Sequence, residues 1–283
     1  MSDLPPYLSL SERIWYYAFR ILCGAIFFFL VFPLVVIIPL SFNAVPFFTF
    51  TKEMLAFDPA GYSLKWYEDF FTNLNWQGAV QNSVIIAIFS TLISTTLGTL
   101  AALGLSRAQM PYRTLIMSIL ISPMIVPLII SAAGMFFFYS RIGIQGTHIA
   151  VILAHAALGT PFVVITVTAT LSGFDNNLIR ASSSLGASPS TTFFRVIVPL
   201  ITPGVISGAL FAFITSFDEV VVVLFLAGLE NTTIPIQMWT GLREQLSPTI
   251  LAVATCLIIL STLILVTAEL LRRRSERLRG INR

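Results

Sequence analysis

Charge is the first thing this chain lacks. Only 10% of its 283 residues are Asp, Glu, Lys or Arg, while 56% are hydrophobic. Soluble domains carry about 25% charged residues. A water-exposed surface needs more charge than this, so a soluble domain is excluded and a lipid-facing one is indicated. Lysine is nearly absent, with only Lys52 and Lys65. Neither lies at the end of a Gly-rich loop, so the chain has no Walker A element and cannot be its own P-loop motor. Cysteine is limited to Cys23 and Cys256, both within apolar runs. They read as buried thiols, with no disulfide framework and no CxxC pair. A net charge of +3, concentrated near the C-terminus, excludes nucleic acid as the partner. The opening MSDLPPYLSLSER lacks a basic start, and the apolar run after it lacks a small-residue cleavage site. It reads as a retained anchor, not a cleaved signal peptide.

What the chain has in abundance is long apolar runs. A spanning helix needs about 20 mainly apolar residues. Six stretches qualify: 21–40, 80–103, 114–139, 148–171, 200–227 and 249–271. The third contains Ser122-Pro123 and Pro127, and the fourth contains Pro161. Residues 1–20 then form an N-terminal segment, 21–271 a six-helix transmembrane domain, and 272–283 a basic tail. Orientation follows from the distribution of Arg and Lys. With six spans both termini share one side. That side holds Arg13, Arg20, Arg107, Arg113, Arg180, Arg195 and the six arginines beyond position 271. The other holds only Lys52, Lys65, Arg141 and Arg243. Both termini are therefore expected in the cytoplasm. The outer loop 41–79 carries Trp66, Tyr67 and Trp76, which suit a short amphipathic segment at the membrane interface.

The cytoplasmic loop 172–199 between the fourth and fifth spans holds the densest pattern. Asn176 or Asn177 can cap a short helix, LIRASSSL, and Gly186 can end it with positive φ. Pro189 and Pro199 are expected to keep helix from running through, and Pro203 lies near the start of the fifth span. The product is a short helix outside the membrane joined by a sharp bend to a spanning helix, as a docking element requires.

This loop resembles that of the permease subunits of binding-protein-dependent ABC importers. Their signature runs Glu-Ala-Ala, three variable residues, Gly, then Phe, a hydrophobic-Pro pair and Pro-Gly. Arg180-Ala181-Ser182 stands in the first three places, and Leu185-Gly186-Ala187-Ser188 matches the turn. Phe194, Val196, Val198-Pro199 and Pro203-Gly204 match the rest. Asn82-Ser83, Gly98, Ser106-Arg107, His155 and Pro161-Phe162 extend the likeness. Ser216-Phe217-Asp218-Glu219, Thr233-Ile234-Pro235 and Ser247-Pro248-Thr249 are similar to the polyamine and opine branch. The departure is Arg180, where the family has an acid.

The resemblance implies an all-α integral membrane protein of the bacterial inner membrane. Its fold would be the type I ABC importer permease fold, six transmembrane helices with a cytoplasmic coupling helix. Ile179, Arg180, Ala181, Ser182, Leu185, Gly186 and Ala187 would couple it to a dimer of cytoplasmic ATPase subunits. ATP and Mg would bind to those subunits, and no cofactor to this chain. A second permease, forming a heterodimer, and an extracytoplasmic solute-binding protein complete the expected assembly, with membrane lipid around it. The cargo would be a small, polyamine-like cation.

Three residues are candidates for the translocation path. Asp218 and Glu219 lie within the fifth apolar stretch, and ionised groups at membrane depth face a cavity or a partner. Adjacent helical residues point about 100° apart, so both do not face one lumen. The alternative is that Asp218 caps a break in the helix. His155 is the third candidate, with a cross-helix hydrogen bond as its structural alternative. No second His or Cys accompanies it to form a metal site. Gly204 and Gly208, and likewise Gly98 and Ala102, form small-xxx-small pairs for packing within the chain or against a second permease. The basic tail reads as a topology anchor at the anionic inner surface. A secondary transporter driven by an ion gradient is the alternative function, since intramembrane carboxylates suit it. No HExxH motif and no clear Ser/His or paired-Asp arrangement point to an intramembrane enzyme.

Overall fold

The computed structural model describes residues 9–278 apart from 108, 174, 176, 245 and 246. Residues 1–8 and 279–283, the far ends of the expected terminal segments, lie outside it, as does the cap candidate Asn176. The labelled helices are α1 (Leu10–Leu40), α2 (Lys65–Thr72), α3 (Leu74–Leu105), α4 (Arg113–Ile125), α5 (Leu128–Arg141), α6 (His148–Ser172), α7 (Asn177–Ser184), α8 (Val198–Phe217), α9 (Val221–Leu226), α10 (Ile234–Glu244) and α11 (Thr249–Leu278). Among the described residues β structure is limited to an isolated bridge between Asn43 and Tyr62.

The helix lengths answer to the bilayer. α1, α3, α6 and the helical stretch ending at Phe217 are each long and apolar enough to cross it. The third expected span is not straight. α4 and α5 meet at a 100° bend. Pro127 sets it, because a residue before proline avoids helical geometry and Val126 is extended at φ −68°, ψ 133°. Pro123, by contrast, stays inside α4. Its missing N–H would have served the carbonyl of Ile119, and the Ser122 hydroxyl donates there instead at 2.8 Å. The sixth expected span lies on α11, whose Thr249–Leu263 part is a shorter apolar helix among the described residues.

The chain divides into two compact units, one of residues 1–73 with 241–283 and one of 74–240. In the first, α1 begins at a capping box: Glu12 N–H donates to Ser9 Oγ, and Ser9 N–H to Glu12 Oε2. Its most apolar stretch is wholly unburied, with Phe27, Phe28 and Phe29 all exposed. In water such a surface is prohibitive, whereas in lipid it is the stable arrangement. The segment after α1 is held by side chains. Asn43 Nδ2 donates to the carbonyls of Phe47 and Thr49, and Trp66 Nε1 to that of Asn43 at 2.6 Å. Tyr67 and Ser41 share a hydroxyl hydrogen bond of 2.6 Å, and Thr249 donates to Asp69 at 2.7 Å. The interfacial aromatics Trp66 and Tyr67 thus sit on or beside the short helix α2.

In the second unit α6 is the centre, packed between α3 and α8. One apolar cluster surrounds its first half and draws in α5 and α9, through Ala132, Ala154, Leu158, Val222 and Leu226. Another surrounds its second half, with Ala102, Val163, Val167, Ile201 and Ala212. Small residues set the spacing. A Cβ added at Gly208 would lie 2.8 Å from the Val163 backbone, and one at Gly204 would strike Thr170. At Gly98 it would lie 2.6 Å from Val163 Cβ. All three glycines therefore face α6 of the same chain, which assigns the small-residue pairs to internal packing. Replacing Gly208 with Ala should cost about 1–3 kcal/mol by overpacking. Gly78, with nothing within 4 Å of its added Cβ, is the matched control. Thermal unfolding in detergent should show a lowered midpoint for Gly208→Ala beyond that of Gly78→Ala.

Candidate functional site

The loop after α6 builds a short helix from its own polar atoms. Asp175, not Asn177, caps α7: its side chain accepts from Asn177 N–H at 2.9 Å. Asn177 is already the first helical residue. The end of α7 is a Schellman turn. Ala187 N–H donates to the Ser182 carbonyl at 3.1 Å and Gly186 N–H to that of Ser183 at 3.0 Å. Gly186 stands at φ +78°, the left-handed region that closes this motif. Ser188 then caps the Pro189–Thr192 turn, and the hydroxyls of Ser182 and Thr192 meet at 2.8 Å. That bond ties α7 to the segment beyond the bend.

The path from there differs from expectation at Pro199. Helix does run through, from Pro189 by way of a π turn at Phe193–Ile197 into α8. Pro199 lies in the first turn of α8, where proline is well tolerated. The break that bends the chain is at Gly186–Ser188.

The faces of α7 are distinct. Leu178, Ala181 and Leu185, at i, i+3 and i+7, are exposed, Leu185 to 88%. Ile179 and Arg180 instead line a groove of about 930 Å³, together with Leu171 of α6 and the end of α3. The seven sequence-derived residues of this helix and turn thus do not act as one surface. Ala181 and Leu185 look outward, Ile179 and Arg180 look into the groove, and Ser182 is engaged with Thr192.

The fifth apolar stretch is not one helix. α8 ends at Phe217 with Asp218 as its C-cap, and α9 begins at Val221. Asp218 and Glu219 therefore lie at a break, not inside a helix. Their surroundings differ. Asp218 is exposed, with its N–H donating to the Ile214 carbonyl. Glu219 is buried, and its Oε1 accepts from Val222 N–H at 2.9 Å. Glu219 thus satisfies an otherwise free donor at the start of α9, and Asp218 alone presents its side chain. The freed backbone of a broken helix is met by this carboxylate in place of water.

His155 is buried, 1% exposed. Its Nδ1 and the Ser216 hydroxyl lie 2.8 Å apart, and Ser90 Oγ donates to Ser216 Oγ at 2.8 Å. Three helices, α3, α6 and α8, are joined here, two residues before the C-cap Asp218. Ser94 adds a bond to the Ala156 carbonyl at 3.0 Å. Ser90 and Ser216 were not singled out from the sequence. The available signal was the run Ser90, Ser94, Gly98, Ala102, small residues at every fourth place on α3. At the start of α6, Asn82 Nδ2 donates to the carbonyls of Glu230 and Thr232, and its Oδ1 meets His148 Nε2 at 2.8 Å. Both amide hydrogens being used, His148 Nε2 must carry the donated proton. Ser83 Oγ accepts from Ile234 N–H, so the Asn82-Ser83 pair fixes the segment that follows α9.

These roles separate in a stability measurement. Ser216→Ala strips a buried partner from His155 and Ser90 and should cost about 1–3 kcal/mol. Asp218→Asn, at an exposed position, should stay within about 0.5 kcal/mol. Thermal unfolding of both variants in detergent checks this ordering.

Known proteins are similar to this chain in sequence and in fold. The family described as "Binding-protein-dependent transport system inner membrane component" matches residues 94–277. The spermidine/putrescine transport system permease protein PotC of Haemophilus influenzae is 30% identical over 251 residues, 89% of this chain and 95% of that protein. The putrescine transport system permease protein PotI of Escherichia coli K12 is 28% identical over 239 residues, 82% of each. A bacterial ABC transporter involved in import of the acidic polysaccharide alginate has a chain that superposes with a TM-score of 0.69 at 16% identity, over 94% of this chain and 99% of that one. By sequence across most of its length, and by fold, the chain belongs to the inner membrane components of binding-protein-dependent transport systems, with the type I ABC importer permease fold.

Proposed function

We propose that this chain forms half of an ATP-driven import pathway for a small organic cation of the polyamine type. The observation that carries the proposal is α7 itself. It is a two-turn helix held outside the spanning helices by a glycine bend, with Leu178, Ala181 and Leu185 bare on one side. Such an apolar stripe suits the groove of another protein. The absence of a Walker A loop assigns ATP hydrolysis to that partner, a pair of ATPase subunits. Their closure would push on α7 and, through the Ser182–Thr192 bond and the π turn, on α8. The distribution of basic residues supports α7 and both termini in the cytoplasm.

The exposed apolar side of α1 offers area for a second permease, in the heterodimer expected from the resemblance. An extracytoplasmic binding protein would bring the solute. A solved relative of the same fold is a transporter in complex with an alginate pentasaccharide-bound periplasmic protein. For the cargo, two observations agree. The relatives named above carry spermidine and putrescine in their names, and Asp218 offers an unpaired carboxylate at a helix break. A polyamine ammonium group would meet it at membrane depth, where an opposite charge has most effect.

Purified with its ATPase in proteoliposomes, the transporter should hydrolyse ATP faster when polyamine and binding protein are present. Uptake that continues without any ATPase, and follows a proton or sodium gradient, would replace this reading with the secondary-transporter one. Gly186→Val tests the bend. A β-branched residue at φ +78° is strained by about 1–2 kcal/mol, although the site is spacious. Transport should fall at least about tenfold relative to ATP hydrolysis, while Gly186→Asn, which tolerates this φ, should keep most of it. In the same assay Asp218→Asn should lower polyamine uptake and Asp218→Glu should largely preserve it.

A further inference from the structure

The groove behind α7 has a chemistry that coupling does not use. Arg107, at the end of α3, and Arg180, on α7, both line it, and no carboxylate is among its lining residues. Both guanidinium groups are in exposed residues, so neither is buried against protein. Two like charges on one groove repel unless an anion lies between them. The floor is apolar. Leu103, Leu171 and Ile197 are partly buried and packed on the cluster around the second half of α6. Leu100 is 60% exposed and carries the apolar surface out of the groove along α3.

We infer that this groove holds an anionic phospholipid of the inner leaflet, its phosphate between Arg107 and Arg180 and an acyl chain along Leu100, Leu103 and Leu171. Guanidinium groups match phosphate oxygens in paired hydrogen bonds, and the hydrocarbon floor rewards an anion that brings a tail. A free phosphate would leave that floor wet. A carboxylate from the ATPase would meet the exposed stripe of α7 first, on a different side of the helix. Basic pockets between spanning helices at the cytoplasmic surface take lipid head groups for the same reason. The inference rests on the orientation proposed above. It gives Arg180 a role at the position where the resemblance leads one to expect an acid: the side chain serves the membrane side of α7, and the apolar stripe serves the ATPase.

The test uses the full-length chain with the subunits that copurify, stripped of lipid in detergent. Retention of dioleoyl phosphatidylglycerol and dioleoyl phosphatidylcholine is read by native mass spectrometry. Phosphatidylglycerol should be retained about tenfold more strongly. The double variant Arg107→Gln, Arg180→Gln should lose that preference, and the lysine pair should retain part of it. The single Arg180→Gln variant gives the same readout with less disturbance, should the double variant not elute as a folded species. Equal retention of both lipids by the unaltered protein, or unchanged preference in the glutamine variants, overturns the proposal. So does displacement of phosphatidylglycerol by equimolar inorganic phosphate, which would identify a free anion as the occupant. Loss of the ATPase from the glutamine variants with lipid retention unchanged would assign the arginines to the ATPase and also overturn it. Because retention is measured without turnover, failure of the importer reading would appear in the uptake assay and leave this result readable.

Discussion

Close approach of three helices governs this structure. α3 and α8 contain residues so small, at Gly98, Gly204 and Gly208, that their backbone meets α6 where a methyl group would clash. In lipid the hydrophobic effect does not press helices together, because the surroundings are as apolar as the helices. Van der Waals contact between well-fitted surfaces and a few interhelical hydrogen bonds must suffice. The His155–Ser216–Ser90 chain and the Ser94 bond supply those bonds on the same three helices. Once this triple contact is fixed, the remaining elements of the unit have a frame to pack on.

Irregular backbone then appears where this frame can satisfy it. Pro123 within α4 leaves the Ile119 carbonyl to the Ser122 hydroxyl. The break between α8 and α9 gives the Val222 amide to the Glu219 carboxylate. The segment after α9 is fixed by Asn82 and Ser83. At each of these three places a named polar side chain answers a backbone group, as a membrane requires. The break also separates two neighbouring carboxylates. Glu219 is spent on structure, which leaves Asp218 as the accessible charge, and that division follows from where the helix stops.

The loop around α7 works on a different principle. Its geometry is set by local hydrogen bonds, and the Ser182–Thr192 pair ties it to the segment beyond the bend. A rigid short helix on a compact tether is suited to transmitting displacement, because its shape survives while its position changes. The sides of α7 differ: Leu178, Ala181 and Leu185 are exposed, and Ile179 and Arg180 line the groove.

Much of this was legible in the residues. Apolar run length is a direct demand of bilayer thickness, so long apolar helices could be located, and α6 was placed within a residue of its end. Gly186 and the order of serines and prolines around it determined a short helix and a turn, because those depend on neighbours in the chain. The family resemblance rested on the same local pattern. What the sequence could not decide was which face of each element meets another. Whether Asp218 and Glu219 lie inside a helix or at its end depends on Ser216 being held to α3 and α6 from residues 61 and 126 positions away. The burial of His155 against Ser216 was set in the same way. Pro199 did not stop the helix, since a π turn beside it and the first turn of α8 absorbed the missing donor. The groove of Arg107 and Arg180 exists because distant segments converge there. Local order was written in the chain, whereas the partners of each polar group were chosen by packing.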